Sequence, residues 1–483
     1  LKRTLLALLI LATAAQASFA QTRTAKWTLE ECLKYAMDNN ISVKQADLNK
    51  RISQNTKLQS MLNVLPNVSA SGSYSFNFGN SINPTTYTYS QSNSQSFSPS
   101  LNGSLALFEG LQQINNYNKN KYDVLASTWD LANVQNNTAL NVTNLFLQLV
   151  LNKELVKAAE KQVDISQSQL DVMKAKIKAG TMAEASIYDF EAQLARDKAT
   201  LTTQKNSELI SLITLKIALQ VPDQENFDVV VPDVKVAEVL NYEKMNPQDI
   251  FDFAVNNQPS VKSAEAKTKS SLYTVKYYKG ALSPTLSMNF SLRSNYFDQS
   301  TKISGVTPYL LDQGTPIFSD NSASPSIVGY DRLAYKYSEV KTPFTEQLKN
   351  NFSKVVSFNL NVPLFSGWLK MTNIANSKLQ YQIQQLNLES TKNTLKKDIY
   401  QSFANAKGYA ESYLANKIAL EAQQQAYKVT EKKFNAGIST DFELQQSRSN
   451  LAKSESNAIQ AKYNYIFSTK VLDFYQGKPI TLN

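Results

Sequence analysis

Between Gln112 and Lys178 the chain contains neither proline nor glycine, and its apolar residues keep helical spacing. A helix of that length runs roughly 100 Å at about 1.5 Å per residue. Helices buried in globular domains seldom exceed about 25 residues without caps, so this segment belongs to a different architecture. Val142, Leu149, Val156, Val163, Leu170 and Ile177 recur every seven residues. A seam sustained over that distance calls for another helix beside it, in a coiled coil or a wall of helices.

The same pattern occurs twice. At an offset of 257, Ile399, Ala406, Tyr413, Leu420, Tyr427 and Phe434 take the seam positions. Leu107-Phe108-Glu109-Gly110 matches Leu364-Phe365-Ser366-Gly367, Ala179-Gly180 matches Ala436-Gly437, and Pro222 matches Pro479. Earlier in the chain the offset is 218: residues 33–46 resemble residues 251–264, and Pro66 falls on Pro284. The chain is therefore an internal duplication, with a 39-residue insertion in the second half between Pro284 and Phe365. Each long helix is expected to end at Ala-Gly, glycine being favoured just past a helix C-terminus. A second helical stretch then returns, which makes each half a very long helical hairpin.

Ahead of each hairpin the periodicity changes to two. Val68, Ala70, Tyr74, Phe76 and Phe78 alternate with Ser69, Ser71, Ser73, Ser75 and Asn77, and Phe97, Leu101, Leu105 and Leu107 alternate with serine and asparagine. Leu286, Met288, Phe290 and Leu292, and then Val356, Phe358, Leu360, Val362 and Leu364, repeat the pattern. Strands of about ten residues cross a bilayer, and a Ser/Asn face suits a water-filled lumen with the apolar face toward lipid. A sheet packed on a soluble core would alternate in the same way. The polar stretches Asn80–Gln95 and Asp298–Thr345 read as loops, the second holding the insertion. Four strands cannot close a barrel, which needs about eight. Two copies would give eight strands and three would give twelve.

Lys2 and Arg3, the apolar run Leu5–Ala12 and the small-residue stretch ending at Ala20 read as a secretory signal peptide cleaved before Gln21, without an N-terminal cysteine for lipidation. Cys32, the single cysteine, sits in an amphipathic pattern and reads as a small buried residue. The chain has 50 Lys+Arg against 40 Asp+Glu, spread along helices as on a solvated surface, and export argues against nucleic acid. It has no histidine, which excludes Ser-His-Asp and Cys-His triads and removes the commonest metal ligand. Nothing points to an enzyme, a cofactor or a metal site, and no Met or Cys cluster marks a soft-metal path.

In this order and doubled spacing, the helix, strand pair, Leu-Phe-x-Gly junction and Ala-Gly-tipped hairpin resemble the outer membrane efflux protein family, the TolC-like outer membrane factors. The resemblance covers essentially the whole mature chain. It implies a mainly α fold with a membrane β-barrel portion: four strands per protomer in a trimeric twelve-stranded barrel, continuous with a long α-helical coiled-coil tunnel. The expected organisation is a signal peptide over 1–20, a first repeat over 21–245 (strands near 67–79 and 95–108, tip near 180, connecting segment 222–245) and a second over 246–483 (strands near 285–298 and 350–365, tip near 437). The implied partners are two further copies, a periplasmic adaptor, an inner-membrane pump of RND or ABC type, and outer-membrane lipid. Carried onto this sequence, the periplasmic gate motif falls on Phe434, Gly437 and Glu443, with Gln446 at a position that is acidic in some relatives. In the first half, Ile177 and Gly180 match, Ser186 stands where the acid is expected, and Asp189 follows three residues later. Gly180, Thr181, Gly437 and Ile438 are the expected adaptor-docking tips. Glu443 reads equally as a first-turn residue favoured by the helix dipole, and Asp189 and Asp441 as helix-start residues. The expected activity is passive conduction from the periplasm through the outer membrane to the exterior. The rival readings are a structural or adhesive outer-membrane protein whose extracellular loops bind a ligand, and a soluble periplasmic enzyme.

Overall fold

The computed structural model describes residues 26–82, 87, 89–91, 93–223, 226–232, 245–310, 316–318, 327–330 and 333–479. The signal peptide, most of the connecting segment 222–245 and parts of both polar stretches lie outside these residues. In chain order the elements are α1 (Leu29–Asn39), α2 (Ile41–Leu62), β1 (Asn67–Asn77), β2 (Asn80–Ile82), β3 (Tyr89–Gln91), β4 (Ser94–Glu109), α3 (Gln112–Lys178) and α4 (Ile187–Leu219). They continue with α5 (Pro247–Asn257), α6 (Pro259–Gly280), β5 (Thr285–Arg293), β6 (Tyr296–Phe297), β7 (Thr301–Leu310), β8 (Pro316–Phe318), β9 (Ile327–Tyr330), β10 (Leu333–Lys341), α7 (Phe344–Asn350), β11 (Ser353–Asn361), α8 (Leu369–Asn435) and α9 (Asp441–Tyr475). The duplication extends to element boundaries: α1, α2 and the start of β1 recur 218 residues later as α5, α6 and the start of β5, and α3 recurs 257 residues later as α8.

The chain divides into two compact units. The helical unit comprises Leu1–Lys57, Asn118–Leu272 and Lys378–Asn483. Its first helix is started by a reciprocal cap: the Glu31 N–H donates to the Thr28 hydroxyl (3.3 Å), and the Thr28 N–H donates to the Glu31 carboxylate (2.9 Å). The buried stripe of α1, Leu29, Cys32 and Ala36, packs with Val142, Phe146 and Val150 of α3 and Leu215 and Leu219 of α4. Burial, followed by the Glu31 charge, pushes the Cys32 thiol up to about 12, so the cysteine is an inert packing residue. A second core built from the duplicate elements joins Ile250, Ala254 and Val261 to Ile399, Ala406 and Ala410 of α8 and Leu472 of α9. Of the predicted first seam, Val142, Leu149, Val156 and Leu170 are buried; in the second, Ile399 and Ala406 are buried and the residues nearer the tip are only half-buried.

The sheet unit comprises Leu58–Tyr117 and Tyr273–Ser377. Its main sheet is antiparallel in the order β1-β4-β5-β11, with β6 alongside β4. The registers align polar with polar across all four strands in Ser71↔Ser100↔Arg293↔Ser353 and Asn67↔Ser104↔Asn289↔Ser357, and across three in Ser69↔Asn102↔Ser291, which meets Val355 on β11. Apolar rows lie between them, Ala70↔Leu101↔Leu292 and Leu105↔Met288↔Phe358 among them. In the row Val68↔Gly103↔Phe290↔Val356 the Phe290 ring lies over Gly103, where a Cβ would come within 2.0 Å of it. Among the described residues, β1 and β11 each have an edge to which no strand pairs. Just before α3 and α8 the chain turns through two successive left-handed residues, Gly110-Leu111 (φ 59° and 63°) and Gly367-Trp368 (φ 58° and 66°). Gly110 is needed there, because a Cβ would lie 2.2 Å from the Gly280 carbonyl oxygen.

The strands differ from the sequence expectation at several places, beginning with Asn80–Gln95, read as a loop, which contains the short antiparallel pair β2–β3. The expected strand near 350–365 is β11, Ser353–Asn361, preceded by the short helix α7; Pro363 lacks an amide proton, and the ladder stops before it. The stretch Asp298–Thr345, read as a loop, contains the antiparallel pair β7–β10, whose register slips at a bulge at Ser338/Glu339. No helix among the described residues is long and apolar enough to cross a membrane.

Candidate functional site

Both long helices of the helical unit end in the same backbone motif. Gly180 (φ 71°) donates to the Ile177 carbonyl (2.9 Å) and Thr181 to that of Lys176 (3.0 Å); Gly437 (φ 72°) donates to Phe434 (3.0 Å) and Ile438 to Lys433 (2.9 Å). These paired bonds satisfy the last free carbonyls of the helix, and they require a left-handed residue that glycine adopts without strain. The Thr181 hydroxyl adds a bond to the Lys176 carbonyl (3.0 Å).

Beyond the glycine the tips diverge. In the second hairpin Thr440 caps α9: its hydroxyl accepts from the Glu443 N–H (3.3 Å), and its own N–H donates to the Glu443 carboxylate (3.0 Å), which the Ser439 hydroxyl also reaches. Those bonds, from Ser439 first and the Thr440 amide next, hold the fully exposed Glu443 carboxyl below the usual carboxylate range. The first hairpin has Ala183 and Ser186 at the corresponding positions, so no such cap forms. Its chain passes through a 3₁₀ turn, Glu184–Ser186, and Ser186 precedes α4 without a side-chain capping bond.

The expected gate residues thus occupy distinct positions. Glu443 lies in the first turn of α9, with its carboxylate turned back on its own N-cap, and Gln446, one turn on, donates to Asn450 (3.1 Å). Asp189 is exposed in the first turn of α4 and forms no ion pair with a described residue. Phe434 packs on the cluster Leu170, Met173, Phe190 and Leu194, with the Lys176 ammonium 5.1 Å from its ring centre. Ile438 and Phe442 stand in solvent, each 76% exposed.

Sequence reading did not identify the link between the hairpins. Arg448 of α9 is 2% exposed, and its guanidinium reaches Asp197 of α4 (2.9 Å), the Ser166 hydroxyl of α3, the Gln162 carbonyl (2.6 Å) and the Gln169 side chain (2.9 Å). Burial lowers the pKa of Arg448, and the Asp197 charge opposes that shift. Gln169 also donates to the Tyr427 hydroxyl (3.1 Å), which in turn donates to Glu431 (3.1 Å). Beside this network, between the two hairpins, lies a hollow of about 400 Å³ bordered by Asp164, Val172, Lys176, Glu431, Phe434 and Leu444. Arg448 lies four residues after the buried Leu444, on the same face of α9.

The chain and its fold have relatives among known proteins. The chain is 18% identical over 367 residues, 76% of its length and 69% of the relative's, to outer membrane efflux protein BepC of Brucella suis. Its fold is similar to the Campylobacter jejuni CmeC outer membrane channel (TM-score 0.72, 18% identity, 92% of this chain and 84% of that one). It is also similar to the Vibrio cholerae outer membrane protein VceC (TM-score 0.69, 10% identity, 94% and 97%). The family profile described as outer membrane efflux protein matches residues 33–219 and 251–477, one segment in each repeat. The duplicated hairpins and two-faced strands are thus those of the outer membrane efflux protein family, to which this chain belongs.

Proposed function

We propose that the chain is one protomer of an outer-membrane export duct in a tripartite efflux or type I secretion system, passively conducting substrates from periplasm to exterior. The observation that carries this reading is the four-stranded sheet with one hydroxyl-rich face, one apolar face and two unpaired edges. An exposed strand edge is a template for pairing with another chain, and closure on further copies satisfies both edges while turning the polar face to a lumen. Three copies give twelve strands. The apolar residues left exposed on the long helices, such as Ile213 and Ile217 of α4 and Leu414 and Ile418 of α8, supply the lateral surface of the same homotrimer.

The tips are the periplasmic end. Exposed Ile438 and Phe442, with Gly180, Thr181 and Gly437, form the surface for a periplasmic adaptor, which couples the duct to an inner-membrane pump of RND or ABC type. Energy comes from that pump. Opening requires the hairpins to part, which stretches the Arg448–Asp197 link; Glu443, Gln446, Ser186, Asp189 and Phe434 border the passage. Acidic groups at a narrow point favour cations. Detergent-purified protein in planar bilayers is expected to give small, cation-preferring unitary currents that grow in the double variant Glu443→Ala, Asp189→Ala. Verified membrane insertion without current in either protein would favour a structural or adhesive protein instead.

A further inference from the structure

The four-stranded wall carries only three charged residues: Glu109, Arg293 and Lys354. Lys354 shares the apolar face with its register partner Leu292, its ammonium 5.4 Å from the Phe352 ring centre. Glu109 and Arg293 share the polar face at opposite ends. Glu109 pairs with Thr285, at the end from which the chain leaves for α3. Arg293 lies eight residues further along β5, about 27 Å along the strand at ~3.4 Å per residue, or roughly 20 Å of barrel height at a strand tilt of about 40°.

Around Arg293 the wall is made of hydroxyl and amide groups. Arg293 borders an open hollow of about 580 Å³ together with Ser71, Ser73, Ser100, Asn351 and Ser353. The hydroxyls of Ser71 and Ser100 are 2.8 Å apart, Asn102 donates to Ser100 (3.0 Å), and Ser291 donates to Asn102 (2.8 Å). The carboxylates of the neighbouring segments are engaged elsewhere: Asp298 accepts from the Gln95 N–H (2.8 Å), Glu339 from Thr301 (2.7 Å), and Glu346 pairs with Lys302 (2.6 Å). Among the described residues Arg293 is exposed and forms no ion pair.

We propose that Arg293 and the hydroxyls beside it form an oxyanion-binding site at the outward mouth of the lumen, repeated once per protomer, whose ligands carry a phosphate, sulfonate or carboxylate group. The inference rests on the trimeric-duct reading above. A guanidinium presents donors in a planar fork that matches an oxyanion, and flanking hydroxyls extend the set. Rings of arginine in a pore favour anions. Because the Debye length falls from about 30 Å at 0.01 M salt to ~8 Å at 0.15 M, the ring's field fills the mouth only at low ionic strength.

The test uses the full-length trimer in planar bilayers at 10 mM salt. A long helical tunnel cannot cross the bilayer, so the barrel inserts first and its mouth faces the opposite chamber. Tripolyphosphate in that chamber is expected to block unitary current, and Arg293→Gln to raise the half-blocking concentration about tenfold with trimer size unchanged. Arg293→Lys is expected to fall between, since charge remains and the fork is lost. Equal block of wild type and Arg293→Gln, or no block of wild type, overturns the oxyanion site while leaving the duct intact. No current in any of the three proteins overturns the duct and the site with it.

Discussion

Arg448 is the side chain whose removal has the most readable consequence, because a guanidinium this buried is tolerated only while its partners remain. Removing one member of a buried ion pair strands the other, at about 3–5 kcal/mol, whereas replacing both with apolar groups of similar volume is often neutral. Asp197 is 12% exposed, close enough to full burial for that argument to hold. Asp197→Leu is therefore expected to destabilise the purified protein by about 3 kcal/mol, and its combination with Arg448→Met to recover most of the loss. The double-mutant cycle is measured by Tm in detergent. Additive single and double effects would mean that the pair contributes through packing alone. Single-channel recordings on the double variant add a functional readout, since removing a link between hairpins should raise the open fraction without changing the fully open conductance.

At the scale of elements, the two tips differ by one cap. Glu443's carboxyl is held below its unfolded range, so its share of cap stability is present above the unfolded pKa and is lost as pH falls through the depressed folded value. A nitroxide at Ile438→Cys, in a Cys32→Ala background, should become more mobile as pH is lowered through that range. With Thr440→Ala the label should be mobile throughout, since losing an N-cap costs about 1 kcal/mol. A Thr440→Ala label as immobile as wild type at neutral pH would refute the assignment. The elements themselves were legible because long helices write strong periodicity: α3 and α8 both begin and end at positions 257 apart, as the matched motifs require. The pair β7–β10 was not legible, because its bulge at Ser338/Glu339 interrupts the two-residue alternation that reveals a strand. Arg448 was missed for a related reason: an arginine on a helix reads as solvated unless its partners, 251 to 286 residues away, are known.

For the whole molecule, the duplication itself specifies how one copy should meet the next. Shifting the first repeat's pair Ser75↔Ser96 by 218 and 257 residues gives Arg293↔Ser353, which is a pair the second repeat makes, so the offsets carry register faithfully. The contact between repeats, Ser100↔Arg293, can be carried in the same way. Moving β4 forward by 257 and β5 back by 218 puts Ser357 of one copy opposite Ser75 of its neighbour, both on the polar face. The same shift turns Gly103↔Phe290 into Leu360 opposite the neighbour's Gly72, again a large side chain over a glycine. Cysteines directly opposite in an antiparallel pair lie within disulfide reach, about 4.4–6.8 Å between Cα atoms. In a Cys32→Ala background, Ser75→Cys with Ser357→Cys should oxidise to a covalent ladder ending at the trimer, while either single change and the pair Ser73→Cys with Ser357→Cys stay monomeric. A ladder ending at the dimer would mean an eight-stranded closure. Cross-linking by the shifted pair alone would mean that the repeats meet within a copy by a rule they do not follow between copies.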